Sequence, residues 1–94
     1  MQFMLIHTHT PDNCLSGRPD DRRKCFADLN ASLAKANVSV KGFYMASYAY
    51  TMYFILESND QAALHSALAP LLKLGTGQLV SVTQQNLAEL TTTR

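Results

Sequence analysis

Ninety-four residues with a formal net charge of +1, of which 47% are hydrophobic, 9% aromatic and 16% charged, make one small domain, because a chain this short buries only about two-thirds of the surface it exposes when unfolded. So much apolar side chain, with charge well under the ~25% of an average soluble domain, excludes a disordered chain. Near-neutrality offers little grip on a polyphosphate backbone, and no apolar run approaches the roughly 20 residues that span a bilayer, so neither nucleic acid nor membrane is an expected partner.

Residues 2–9 read as a strand, with Phe3, Leu5, His7 and His9 on one side and Met4, Ile6 and Thr8 on the other. Both sides are largely apolar, which predicts a central strand. Thr10 to Gly17 is dense in turn formers and predicts a loop longer than the commonest connections. A helix is predicted over 19–36. Pro19 suits a first turn, Asp20 and Asp21 complement the positive end of the helix dipole, and Phe26, Leu29, Leu33 and Ala36 form the inner stripe. Cys25 borders that stripe, and Asn37 is a candidate left-handed stop. The run Arg22, Arg23, Lys24 fans around the helix and predicts a solvated face rather than a nucleic-acid patch.

Residues 38–47 and 50–57 predict two strands rich in Val, Tyr, Phe and Ile, joined tightly near Ser47 to Ala49, with Gly42 marking a bulge or a close approach. In the second strand Met52, Phe54 and Leu56 share one face and Thr51, Tyr53 and Ile55 the other. Ser58 with Gln61 three residues on resembles a capping box, predicting a helix over 59–69 whose inner stripe is Leu64, Leu68 and Leu71 or Leu72. Pro70 ends or kinks it near Ala69. Gly75 and Gly77 are expected to bracket a turn before a strand over 78–83. Gln84 to Leu90 is expected to form a helical turn and Thr91 to Arg94 a frayed end.

The order strand, helix, strand, strand, helix, strand predicts an α+β, ferredoxin-like βαββαβ domain: a four-stranded antiparallel sheet with two helices on one face. The other face is uncovered. Ten of the fifteen ionised side chains lie between Asp12 and Lys41, leaving Glu57, Asp60, Lys73, Glu89 and Arg94 for the rest, too few to wet an apolar sheet. A second copy is the expected cover. Covering roughly 600 to 800 Å² per chain at about 25 cal/mol per Å² supplies many kcal/mol before association costs.

Two segments carry a resemblance: the opening Phe-Met-Leu-Ile-His-Thr-His-Thr-Pro-Asp-Asn-Cys, and Leu-Glu-Ser-Asn-Asp-Gln-Ala-Ala-Leu followed by Ala-Pro-Leu-Leu-Lys-Leu-Gly-Thr-Gly. With the element order they make residues 2–83 similar to the dimeric α/β-barrel superfamily, which includes antibiotic-biosynthesis monooxygenases, muconolactone isomerase and an uncharacterised small-protein subgroup. The resemblance implies a dimeric α/β barrel with ligands between sheet and helices or at the dimer seam. It implies no particular activity.

His7 and His9 are the sharpest local chemistry. Two apart on a strand they point the same way, roughly 7 Å apart. They could converge on one ion, with Cys14 as a third ligand and His65 as a remote fourth; imidazole with thiolate suits nickel or zinc. The competing reading is a pair of hydrogen-bonded polar groups at a pocket mouth. Tyr44, Tyr48, Tyr50 and Tyr53 cluster on the central hairpin, where tyrosine serves either a ligand pocket or an interface. Tyr44, Tyr53 and His7 are the candidate ligand-binding set, and His7 with Tyr53 is the nearest approach to an acid–base pair, provided they share a face. Cys14 and Cys25 have no paired spacing, and the opening lacks a signal-peptide pattern, which predicts a reducing cytoplasm. The functional expectation is a homodimer binding a small molecule or a transition-metal ion near the seam. The alternatives are a cofactor-independent monooxygenase or isomerase with a Tyr/His-lined cavity, and a structural or protein-interaction module.

Overall fold

A computed structural model of the chain describes residues 1–15 and 17–92. The elements in order are β1 (Gln2–His9), a 3-10 turn (Pro11–Asn13), α1 (Pro19–Lys35), β2 (Ser39–Ala46), a second 3-10 turn (Ser47–Ala49) and β3 (Thr51–Glu57). They continue as α2 (Gln61–Ala67), α3 (Ala69–Leu72), β4 (Gly75–Val82) and α4 (Leu87–Leu90). The four strands form one antiparallel sheet in the order β2-β3-β1-β4. This is the α+β, ferredoxin-like arrangement expected, with β1 and β3 central.

The alternation read from β1 and β3 sorts the two faces. Leu5 stands opposite Phe54 and Phe3 opposite Leu56, and all four are buried against Leu29 and Leu33 of α1 and Leu64, Leu68 and Leu71 of the α2–α3 segment. Phe43 on β2 extends this layer. It stacks on Phe54 with 4.4 Å between ring centroids and meets Phe26 of α1 at 5.8 Å, geometry worth about 0.5–1.5 kcal/mol per pair beyond area burial. The Ser32 hydroxyl donates to the Ala67 carbonyl at 2.8 Å, tying α1 to α2. The opposite face carries Met4, Ile6, Tyr53, Ile55, Tyr44 and Val80 by register, and none of the described helices is packed on it through those core contacts.

Several boundaries differ from the sequence-based expectation. Asn37 does stop α1 in the left-handed region, at φ 58, and the β2–β3 register shifts between Val40 and Gly42 as a bulge requires. The second helix begins at Gln61 rather than 59, because the cap is Asp60, whose carboxylate accepts from the Ala63 amide at 3.1 Å. Ser58 instead turns the chain ahead of it, accepting from the Asp60 amide at 3.1 Å. Pro70 starts a separate short helix after a break at Leu68.

The larger correction concerns Gly75 and Gly77, which lie inside β4 and not around a turn. A Cβ at Gly75 would strike the Thr8 carbonyl, and one at Gly77 would strike the Leu72 side chain. These glycines let β4 close on β1 and let α3 close on β4. At the far end the tail leaves the sheet, and Leu87 and Leu90 of α4 are exposed. The radius of gyration, 15.1 Å, accordingly exceeds the about 12 Å of a compact chain this long. Thr91 and Thr92 bond back through their hydroxyls to Ala88 and Glu89 at 2.7 Å each. Ser16 of the expected loop, and Thr93 and Arg94 of the expected frayed end, lie outside the described residues.

Candidate functional site

A cavity of about 330 Å³ opens on the helix side of the sheet, at the end where β1 leaves and β3 enters. Its floor is Thr51 and Met52 of β3 with His9 of β1; α1 contributes Arg22, Cys25 and Phe26. Asn13, Cys14 and Leu15 close one side, and Tyr48 and Tyr50 another. The 10–15 segment is stapled in place. The Asn13 side-chain amide donates to the Leu74 carbonyl at 3.0 Å, and the Arg18 guanidinium donates to the Asp12 and Cys14 carbonyls at 3.1 and 3.2 Å. Such a wall is formed before any ligand arrives, which lowers the ordering cost of binding.

Tyr50 shapes the opposite rim. It adopts the left-handed region at φ 50 and ψ 39, which costs a residue with a Cβ about 1–2 kcal/mol. The turn is held from β1, whose His9 amide donates to the Tyr50 carbonyl at 3.0 Å, while the Tyr50 ring meets the His9 ring edge-on at 5.7 Å. Strain held by specific contacts concentrates at functional sites.

His7 lies one alternation deeper, opposite Met52 and Gly77 in the register, fully buried. Among the described residues no hydrogen-bond partner reaches either of its ring nitrogens, nor Nδ1 of His9. Burial, and secondarily the neighbouring His9, push the His7 pKa below its ordinary value, with the nearby Leu71 carbonyl opposing. That carbonyl favours a protonated ring electrostatically but is not in hydrogen-bonding geometry. His7 is therefore neutral at pH 7. Burial raises the Cys25 pKa, opposed by Lys73 and reinforced by Asp28, and its thiol points to the Pro70 carbonyl at 3.8 Å. Cys25 is thus a packing thiol and not a nucleophile at neutral pH.

The candidate residues named from the sequence divide between two faces. His7 and His9 do share a side, as the alternation requires. Tyr53 pairs with Ile6, and Tyr44 with Tyr53, which places both tyrosines on the open face and separates them from His7 by the thickness of the sheet. The His7–Tyr53 acid–base pair is accordingly not formed, since it required a shared face. Tyr48 and Tyr50 are the tyrosines that reach the cavity.

The metal set fares no better. His7 and His9 stack with 5.8 Å between centroids and an interplanar angle of 25°. Near-parallel rings do not aim their in-plane lone pairs at one ion about 2.0–2.1 Å from each. His65 is exposed on α2, and among the described residues no three His, Cys, Asp or Glu side chains gather as a metal centre requires. The residues present do not fit nickel or zinc.

Sequence reasoning missed Arg22 and Asn13 as cavity residues, and it named Tyr50 only within the four-tyrosine cluster. Arg22 stands four residues before Phe26 and so continues the inner stripe of α1. That spacing was the available signal, obscured by the basic run around it.

The family described as "Domain of unknown function (DUF3303)" matches residues 1–88. The chain belongs to this family. A search among curated proteins found no match. The DUF3303 match spans His7 and His9, the 10–15 wall and the whole sheet, so fold and cavity fall within one family unit. No helix among the described residues is long and apolar enough to cross a membrane.

Proposed function

We propose that this chain is a cytoplasmic homodimer of the dimeric α/β-barrel kind that binds a small, mostly apolar molecule in the cavity beside His9. The observation that carries the reading is a cavity at the lower end of the ~300–1,000 Å³ range of ligand pockets. It has mostly apolar walls, with the His9 ring among the side chains that line it. The test is a titration with 1-naphthol followed by amide NMR. Saturable shifts at Asn13, Tyr50 and Thr51 are expected; shifts gathered at Met4, Ile6 and Tyr53, or none, reject the site. A cofactor-independent isomerase or monooxygenase would have to use His9 as its base, since His7 and Tyr53 stand apart.

The homodimer has its own support. Tyr44, Tyr53 and Val80 are 65%, 36% and 38% exposed on a face that also carries Met4, Ile6 and Ile55. Contiguous apolar surface of this kind is uncommon on monomers, and the sheet faces of two copies are complementary by symmetry. Sedimentation equilibrium separates this from the interaction-module alternative, in which the purified chain stays at 10.4 kDa until a different protein covers the face.

A further inference from the structure

We infer that the cavity selects an anion, a small carboxylate with an aromatic or aliphatic body, and that Arg22 is the residue that reads its charge. The inference rests on the cavity being a binding site and adds the class of ligand. Three observations lead to it. Among the described residues no Asp or Glu lines the cavity, whereas Arg22 and His9 do. Arg22 has no ion-pair partner among the described residues; the acid two residues before it, Asp20, is bonded to Arg23 at 3.3 Å. The guanidinium is also positioned, lying 6.0 Å from the centroid of the Phe26 ring, so an aromatic face orients the charge at the cavity wall.

The neighbouring charges do not cancel it. Arg18, the N-cap residue of α1, spends its Nη2 on two loop carbonyls. Lys73 and Asp28 act on Cys25 with opposite signs. What remains at the rim is one planar cation with five donors, the geometry that pairs with a carboxylate through two parallel hydrogen bonds. The apolar lining, Phe26, Met45, Met52, Leu71 and Leu74, takes the body of the ligand. His9 can bond a second polar group. A neutral guest leaves the guanidinium in water and gains only the apolar contact.

The test compares 2-naphthoate with 2-naphthamide by calorimetry, the two differing in charge but hardly in shape. The expected result is at least about tenfold tighter binding of the naphthoate. Arg22→Met is expected to bring naphthoate down to the affinity that the same variant shows for the amide. Arg23→Met, which removes the same charge one position along, is expected to retain the preference. Equal affinity of the two probes, or a preference that survives Arg22→Met, overturns the inference and leaves the cavity reading standing. Binding of neither probe overturns both.

Discussion

His7 and His9 stack near-parallel on one side of β1, their ring centroids 5.8 Å apart, yet of the two only His9 reaches the cavity. One histidine faces a guest and the other supports it from the core. His7 is fully buried beside Met52 of β3, with neither ring nitrogen bonded to a described residue. A polar group in that state costs stability of about 1–3 kcal/mol.

Replacing His7 by leucine should therefore stabilise the fold, by about 1–2 kcal/mol, because the apolar side chain needs no partner at a fully buried position. Urea denaturation reads the effect directly. A destabilised His7→Leu protein would mean that the imidazole is satisfied in solution.

The same burial sets a pH dependence. The native His7 pKa is depressed below 6.5, so the unfolded chain takes up a proton that the native one resists. Stability is complete above about pH 6.5 and is lost as pH falls from there toward the depressed native value. The melting temperature should drop on acidification from pH 7 to 5, and the slope should flatten in His7→Leu. Parallel slopes in the two proteins would place the titration elsewhere.

Gly75→Ala should destabilise more than Gly77→Ala. At Gly75 the added Cβ meets the Thr8 carbonyl, which is backbone held in the β1–β4 ladder; at Gly77 it meets the end of the Leu72 side chain, which can rotate. Overpacking costs about 1–3 kcal/mol, with Gly75 at or beyond the upper end. Thermal melts of the two variants check the order, and the reverse order would contradict the strand geometry.

Untagged protein titrated with nickel or zinc should show no site that His7→Ala plus His9→Ala removes, because stacked imidazoles do not converge on one ion. A tight, one-to-one isotherm lost in the double variant would show that the rings rearrange around metal.

On the proposed homodimer, Ile6→Lys, on the open face opposite Tyr53, should shift the sedimenting mass from dimer to monomer without unfolding the chain, as followed by circular dichroism. Inserting an ammonium into an apolar seam strands a charge. A dimer that survives the change would move the interface off the sheet.

Much of this architecture was legible because the rules behind it are local. Period-two alternation in Gln2–His9 and Thr51–Glu57 assigned Leu5 and Phe54 to the core, and Asn37 announced the end of α1. Partnership across the sheet was not legible. Whether Tyr53 faces His7 depends on the β1–β3 register, and a shift of one residue exchanges the faces. Gly75 and Gly77 look like turn residues in isolation; only the approach of Thr8 and Leu72 shows why a strand needs them. The cavity was hidden for a related reason, since its walls come from α1, the 10–15 segment and the β2–β3 connection, far apart along the chain.

The left-handed turn at Tyr50 sets two demands against each other at a single codon. Glycine would adopt φ 50 with less strain but would remove the ring that braces His9. Laboratory selection for heat resistance should thus enrich glycine at position 50, while selection for guest uptake should keep an aromatic there. The amino acid that survives would report which pressure the population had been under.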